Sequence, residues 1–180
     1  MKSFKKPSKL FALLSVLALF LGNDAARAQE LCGQGSDYYT NASVPAHPRA
    51  FYDMNLTSPS TMRDFLSVIN STHDLLIGKG VPAAKIKFVI SLRGASVKFV
   101  TQTFGEGTTD QQVGIEIRQL LATLSAKNVR VEACEISLVW MNVAPTTLVP
   151  QVTVIDNAFA ESIWYQGKGY ALVPISQLPS

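Results

Sequence analysis

The chain has 180 residues, of which 47% are apolar and only 16% are charged. This composition excludes a disordered, collagen-like or coiled-coil protein, and the length is that of one domain. The formal net charge of +3 arises in the first 28 residues. Without their five basic residues and one acidic residue, the chain carries 11 basic and 12 acidic residues, a net charge of −1. The remainder therefore lacks the basic character of a nucleic-acid-binding protein.

Residues 1–28 show the three-part pattern of a secretory signal peptide. Four lysines precede an apolar run of 12 residues, Leu10–Leu21, and Ala26 and Ala28 offer the small side chains that signal peptidase recognises. The run is shorter than the roughly 20 residues that a membrane-spanning helix needs. We therefore expect residues 1–28 to be removed, leaving an exported protein without a membrane span. The style of the signal favours a bacterial periplasm.

The first half of the remaining chain predicts an arm and then alternating strands and helices. Residues 29–48 are rich in Gly, Ser, Asn and Pro and show no period, which indicates an extended arm before a domain at 49–180. Ala50–Asn55 predicts a strand. Ser58 can cap a helix that begins at a proline. The uninterrupted apolar run Ile86–Leu92 is typical of a strand buried on both faces.

The second half continues the alternation of strands and helices. Its predicted elements are a short helical piece near Val97–Val100, a helix capped by Asp110, a strand at Val129–Ala133 with Cys134 at its end, a short helix at Ile136–Met141, a strand at Gln151–Ile155, a helix capped by Asp156 or Asn157, and a strand at Tyr170–Ile175. Short apolar strands that alternate with helices predict a three-layer α/β/α sandwich around an open, mostly parallel five-stranded sheet.

Ligands of such sheets bind beyond the carboxyl ends of the strands. In this chain those ends carry Asn55, Arg93, Cys134 and the pair Asp156 and Asn157. Cys134 lies between a strand and the start of a helix, where free backbone N–H groups favour an anion. Because the thiolate is the reactive form of cysteine, this location can make Cys134 a reactive thiol, provided that it is reachable from water. The alternative is a buried, inert cysteine.

The charges near Cys134 act in both directions. Arg93 would favour the thiolate if it reaches the same crevice, whereas Glu132 and Glu135 would oppose it through like charge. Glu132 would oppose it most if it shares the face of Cys134. The sequence does not decide whether these charges together favour or oppose the thiolate of Cys134.

The second thiol, Cys32, lies in the arm, in what we expect to be an oxidising compartment. It could form a disulfide with Cys134, act as a resolving thiol, or stay unpaired; we favour no pairing in the resting state. His47 and His73 are the only histidines, and no Cys-x-x-Cys spacing supports a metal site. We therefore predict no metal and no cofactor.

Three segments resemble the DsrE/DsrF-like sulfur-relay family. They are Val129–Cys134 followed by a short helix, Gln166–Ala171 before the last strand, and Ile86–Phe99 with its Arg93-Gly94-Ala95 turn. Their order and spacing carry the resemblance over about residues 50 to 175. It implies an α/β/α sandwich, homo-oligomers that are commonly trimers or hexamers, and a persulfide carried on the cysteine that matches Cys134. The exported arm falls outside it.

These observations lead to one principal functional hypothesis and one alternative. In the first, an exported protein handles sulfane sulfur as a persulfide carrier or sulfurtransferase. Cys134 is the nucleophile, Arg93 stabilises the anion, and Asn55 and Asn157 orient it. Its partners would be small sulfur species or a thiol protein. In the alternative, the chain is a non-catalytic, oligomeric ligand-binding or assembly module with a structural Cys134. Whether it is an enzyme stays open at this stage.

Overall fold

A computed structural model describes residues 44–176. The predicted signal peptide, most of the predicted arm and Cys32 lie outside the described residues. The strands are β1 (Arg49–Asn55), β2 (Lys87–Leu92), β3 (Arg130–Cys134), β4 (Val152–Ile155) and β5 (Ala171–Ser176). The α-helices are α1 (Pro59–Gly78), α2 (Gln111–Ala126), α3 (Glu135–Trp140) and α4 (Ala158–Gly167), and 3₁₀ helices span Ala83–Lys85, Gly94–Val100 and Pro145–Thr147.

The five strands form one sheet in the order β4-β3-β2-β1-β5, and all four neighbouring pairs are parallel. The chain therefore moves outward from β1 to β4 and then returns to place β5 on the other side of β1. Helices pack on both faces, so the predicted three-layer α/β/α sandwich is confirmed. The sheet is entirely parallel, where the sequence predicted a mostly parallel one.

Local signals place the helix ends. The Ser58 hydroxyl accepts a hydrogen bond from the Thr61 N–H and begins α1, with a proline at its first position. Asn157 caps α4, which decides between the two predicted caps of that helix. Asp110 occupies the position before α2, but its side chain makes no capping hydrogen bond. Asn128 adopts the predicted left-handed conformation after α2, with φ of 61°.

The two faces of the sheet have different cores because side chains alternate along each strand. One face is apolar and packs on α1 and α2 through a large cluster that includes Tyr52, Ile90 and Val131. The other face is covered by α4. Its apolar cluster is small and contains Phe51, Val89 and Tyr165, whose ring lies 5.1 Å from that of Phe51 between centroids. The polar residues of the strands belong to this second face.

Among residues 44–176, no helix has both the length and the apolar character that crossing a membrane requires.

Candidate functional site

Three of the predicted site residues occupy neighbouring positions at one edge of the sheet. Met54, Leu92 and Ala133 are paired across β1, β2 and β3. The residues that follow them are Asn55, Arg93 and Cys134, so each stands one position further toward the carboxyl end. By the alternation of side chains, all three follow the face that α4 covers. Parallel topology alone is what brings these three distant parts of the sequence together.

Cys134 lies under the start of α4. It is a free cysteine, and its Sγ accepts a hydrogen bond of 3.5 Å from the backbone N–H of Ala158, the first residue of that helix. The side chain is only 2% exposed, so the condition that Cys134 is reachable from water is not met in this structure. The physical reason is that α4 begins directly over β3: Ala158 is itself 3% exposed. The sulfur is buried against a backbone donor, not only against aliphatic groups.

Arg93 is held in a fixed orientation beside this sulfur. Its Nε lies 2.5 Å from Asp53 Oδ1 and its Nη2 lies 2.8 Å from Asp53 Oδ2, a two-point ion pair. This hydrogen bonding to Asp53 raises the pKa of Arg93, and partial burial acts against that rise. The guanidinium carbon also lies 5.4 Å from the ring centroid of Phe159, the second residue of α4. Arg93 is therefore a fixed guanidinium whose charge is paired with that of Asp53.

Asn55 and Asn157 have different surroundings from those their predicted roles require. Asn157 Oδ1 accepts hydrogen bonds from the N–H groups of Phe159 and Ala160, at 2.9 and 3.3 Å, so it is occupied as a helix cap. The adjacent Ala158 N–H is the group that contacts the sulfur. Asn55 is exposed and packs against the turn at Gly94, where a β-carbon would overlap its Oδ1 atom.

The strand positions two residues before Asn55, Arg93 and Cys134 carry a second row of polar side chains on the same face of the sheet. The strand register places Asp53 beside Ser91 and Ser91 beside Glu132. Ser91 and Glu132 are fully buried, and neither Ser91 Oγ nor Glu132 Oε2 has a hydrogen-bond partner. Buried polar atoms usually have partners, so two unpartnered oxygens on adjacent strands are unusual. Each belongs to the residue two positions before Arg93 or Cys134.

The other oxygen of Glu132 is well bonded. Oε1 accepts a hydrogen bond of 2.7 Å from the Tyr165 hydroxyl of α4 and lies 2.8 Å from Arg130 Nη2. Burial raises the pKa of Glu132, and the same two partners act against that rise. Burial also raises the pKa of Tyr165, and its hydrogen bond to Glu132 adds to that effect. Glu132 is thus a buried acid with one oxygen fixed and one oxygen available.

Sequence reasoning did not select Asp53, Ser91 or Tyr165, and it treated Glu132 only as an opposing charge. Glu132 does share the face of Cys134, since the two are two positions apart on β3. A signal for Asp53 and Glu132 existed: each is an acidic residue inside a short apolar strand. Such a residue is rarely buried without a partner. The pairing of Asp53 with Arg93 required knowledge of the strand order.

The surface around the site is apolar. The helices α3 and α4, which begin beside Cys134, expose Val139, Trp140, Phe159 and Ile163 to between 60% and 73%. An open depression of about 320 Å³ on the outside of α4 is lined by Arg130, Ala160, Glu161, Trp164 and Tyr165. Within residues 44–176, no three His, Cys, Asp or Glu side chains lie close enough together to hold a metal ion.

The geometry can be compared with known proteins. The fold matches that of MTH1491 from Methanobacterium thermoautotrophicum, a protein of unknown function, with a TM-score of 0.51 and 13% identity over 71% of this chain and 99% of that one. The fold is DsrE-like. The YchN protein from E. coli gives a TM-score of 0.47 and 16% identity over the same shares of the two chains. No family model and no curated protein matches the sequence.

Proposed function

We propose that this chain handles sulfane sulfur at Cys134, as a persulfide carrier or sulfurtransferase exported to the periplasm. The observation that carries the proposal is the hydrogen bond from the Ala158 N–H, which begins α4, to the Cys134 sulfur, with Arg93 at the end of the neighbouring strand. A helix N-terminus and a fixed cation both interact favourably with negative charge. The same groups would stabilise a thiolate and the persulfide anion formed from it.

The chemistry is a transfer without net oxidation or reduction. The Cys134 thiolate attacks the outer sulfur of a persulfide R–S–SH, forming a new S–S bond as the old one breaks. The products are a Cys134 persulfide, Cys–S–SH, and the leaving thiolate R–S⁻. With thiosulfate as donor, the same attack on its outer sulfur leaves sulfite. Either donor supplies the sulfur atom itself, so no cofactor enters the step.

The burial of Cys134 has a consequence for this chemistry. With the side chain 2% exposed, a donor reaches the sulfur only when the Ala158–Phe159 start of α4 moves away from β3. We therefore expect small donors to react more slowly than with an exposed thiol. A persulfide formed there would in turn be shielded from the surrounding medium, which matters in an oxidising compartment.

Intact-mass spectrometry after incubation with polysulfide tests the proposal. The Cys32→Ser protein should gain one adduct of about 32 Da, the mass of one sulfur atom, that a reductant removes. The matched Cys32→Ser/Cys134→Ser protein should gain none. Equal masses in the two proteins would remove the sulfur-handling function. Non-reducing analysis of the wild type would show whether Cys32 and Cys134 remain free thiols.

The alternative is a non-catalytic, oligomeric ligand-binding or assembly module of the same fold. It is favoured by the burial of Cys134 and by the exposed apolar residues of α3 and α4, which a second copy of the chain could cover. Light scattering after size-exclusion chromatography measures the assembly, for which we propose a trimer or hexamer. Under this alternative, the protein gains no sulfur adduct with or without Cys134→Ser. The substitution also leaves ligand affinity unchanged.

A further inference from the structure

The proposed sulfur chemistry needs a group that accepts the proton of the Cys134 thiol. The row formed by Asp53, Ser91 and Glu132 contains such a group. Cys134 must lose a proton to become a nucleophile, and neither Arg93 nor the Ala158 N–H can accept one. On the face of the sheet that carries Cys134, Glu132 is a buried acid with an unpartnered oxygen. We propose that Glu132 accepts the proton of the Cys134 thiol and returns it at the end of the transfer; this inference rests on the proposed function.

The strand β3 places both side chains on one face of the sheet, with no direct hydrogen bond between Glu132 Oε2 and the Cys134 sulfur. Residues two apart on a strand project to the same side, with Cα atoms roughly 6.6 Å apart. The helix α4 contacts both side chains: Ala158 donates to the Cys134 sulfur, and Tyr165 donates to Glu132 Oε1. Because Tyr165 and Arg130 occupy Oε1, the proton would go to Oε2.

Ser91 suits both protonation states of Glu132. It is paired with Glu132 in the register of β2 and β3, and its buried hydroxyl has no other partner. A hydroxyl can donate to a carboxylate and can accept from a carboxylic acid. A hydrogen bond between the two would therefore satisfy both unpartnered oxygens, whether or not Glu132 carries the proton.

Moving the proton from the thiol to Glu132 keeps the total charge of the pair constant. It shifts the negative charge from a carboxylate near Arg130 to a sulfur near Arg93. The other charged groups that face Glu132 are Glu161 of α4 and Asp53, which lies in the same row and is neutralised by Arg93. Glu161 opposes the ionised form of Glu132 and so favours the protonated one. At the sulfur end, the Ala158 N–H donates to Sγ, so each of the two positions of the negative charge has a donor beside it.

The test is the pH dependence of Cys134 alkylation by iodoacetamide in the Cys32→Ser protein, where Cys134 is the only thiol. Glu132→Gln keeps the shape and the hydrogen bond from Tyr165 but cannot take up a proton. We expect the variant to react at least about tenfold more slowly near pH 6 and to match the parent near pH 9, where hydroxide removes the proton. Identical profiles would overturn the proposal, as would an equal loss at every pH.

Two matched variants separate proton transfer from structural damage. Arg130→Gln removes the same ion pair but leaves the carboxyl group, and Tyr165→Phe removes the hydrogen bond to Oε1. Each loses a group that favours the ionised carboxylate, so both should react near pH 6 at least as fast as the parent protein. An equal loss in all three variants would show that Glu132 acts only through packing, which overturns the proposal.

A measurement on the folded Cys32→Ser protein itself covers the case in which Glu132→Gln does not fold. Carbon-13 NMR can follow the Glu132 carboxyl carbon and the Cys134 β-carbon during one pH titration. Coupled groups should change together, with shared midpoints. A Glu132 signal that does not respond while Cys134 titrates overturns the proposal. The polysulfide adduct is a separate readout, so its absence would remove the proposed function without deciding the role of Glu132.

Discussion

Substitution of Gly94 by alanine should destabilise the turn that carries Arg93, for two separable reasons. Gly94 has φ of +57°, in the left-handed region, and a β-carbon there would overlap Asn55 Oδ1. The backbone conformation costs an alanine about 1–2 kcal/mol. The reduced freedom of the unfolded chain returns about 0.4–1 kcal/mol. Moving the exposed Asn55 side chain, whose far end is Oδ1, out of the way costs about 0.5–1.5 kcal/mol more. We expect a total loss of about 2 kcal/mol, within a range of about 0.5–3 kcal/mol.

Gly80 provides the matched control. It also has positive φ, +87°, but a β-carbon would meet nothing within 4 Å. Gly80→Ala should therefore lose only about 1 kcal/mol, the backbone cost less the gain in the unfolded state. Urea unfolding measures both variants. Adding Asn55→Ala should restore most of the difference in the Gly94→Ala protein, because Asn55 is exposed and its own removal costs within about 0.5 kcal/mol. Equal losses at Gly80 and Gly94 would refute the overlap argument.

Two further substitutions test the charged and titratable groups. Asp53→Asn keeps the volume but ends the two-point ion pair with Arg93, so urea unfolding should show a loss of about 2 kcal/mol; a loss below about 0.5 kcal/mol would contradict the role of the pair. His73 is 1% exposed, its ring nitrogens make no hydrogen bond although Nδ1 lies 3.9 Å from Asp74, and burial lowers its pKa from 6.5. Since the unfolded chain then binds the proton more readily, the free energy of unfolding should fall as the pH drops below about 6.5. His73→Leu should flatten this fall and His47→Leu, at an exposed position, should leave it unchanged; the reverse result would contradict the assignment.

Much of the fold was predictable because its signals are local. Ser58 followed by proline, the uninterrupted Ile86–Leu92 run and the left-handed Asn128 each depend on a few neighbouring residues. Each predicted strand lies within one residue of the observed one. The meeting of Asn55, Arg93 and Cys134 at one edge followed from assuming a parallel sheet, since parallel strands end together.

The exposure of Cys134 was not predictable from the same signals. It depends on where α4 crosses the sheet, and that depends on the return of the chain from β4 to β5 beside β1. Capping by Asn157 was visible in the sequence. However, only the crossover shows that the next residue, Ala158, covers the sulfur. The Asp53–Arg93 pair was hidden for the same reason, because its members lie 40 residues apart.

The cost of burying Glu132 bears on what this face of the sheet does. A buried ion pair is often no more stable than apolar residues of similar volume, and an unpartnered buried oxygen adds a further cost. On the opposite face of β2 and β3, the neighbouring positions carry the apolar residues Ile90 and Val131, which pack without any polar group. A chain selected only to fold could have used apolar residues on the second face as well. The Asp53, Ser91 and Glu132 row lies directly below Arg93 and Cys134, at the carboxyl half of the sheet. Its position therefore favours a chemical role. Glu132→Leu alone would leave the buried Tyr165 hydroxyl unpaired. The expected signature is a Glu132→Leu/Tyr165→Phe protein that is at least as stable as the wild type but reacts more slowly at Cys134 near pH 6.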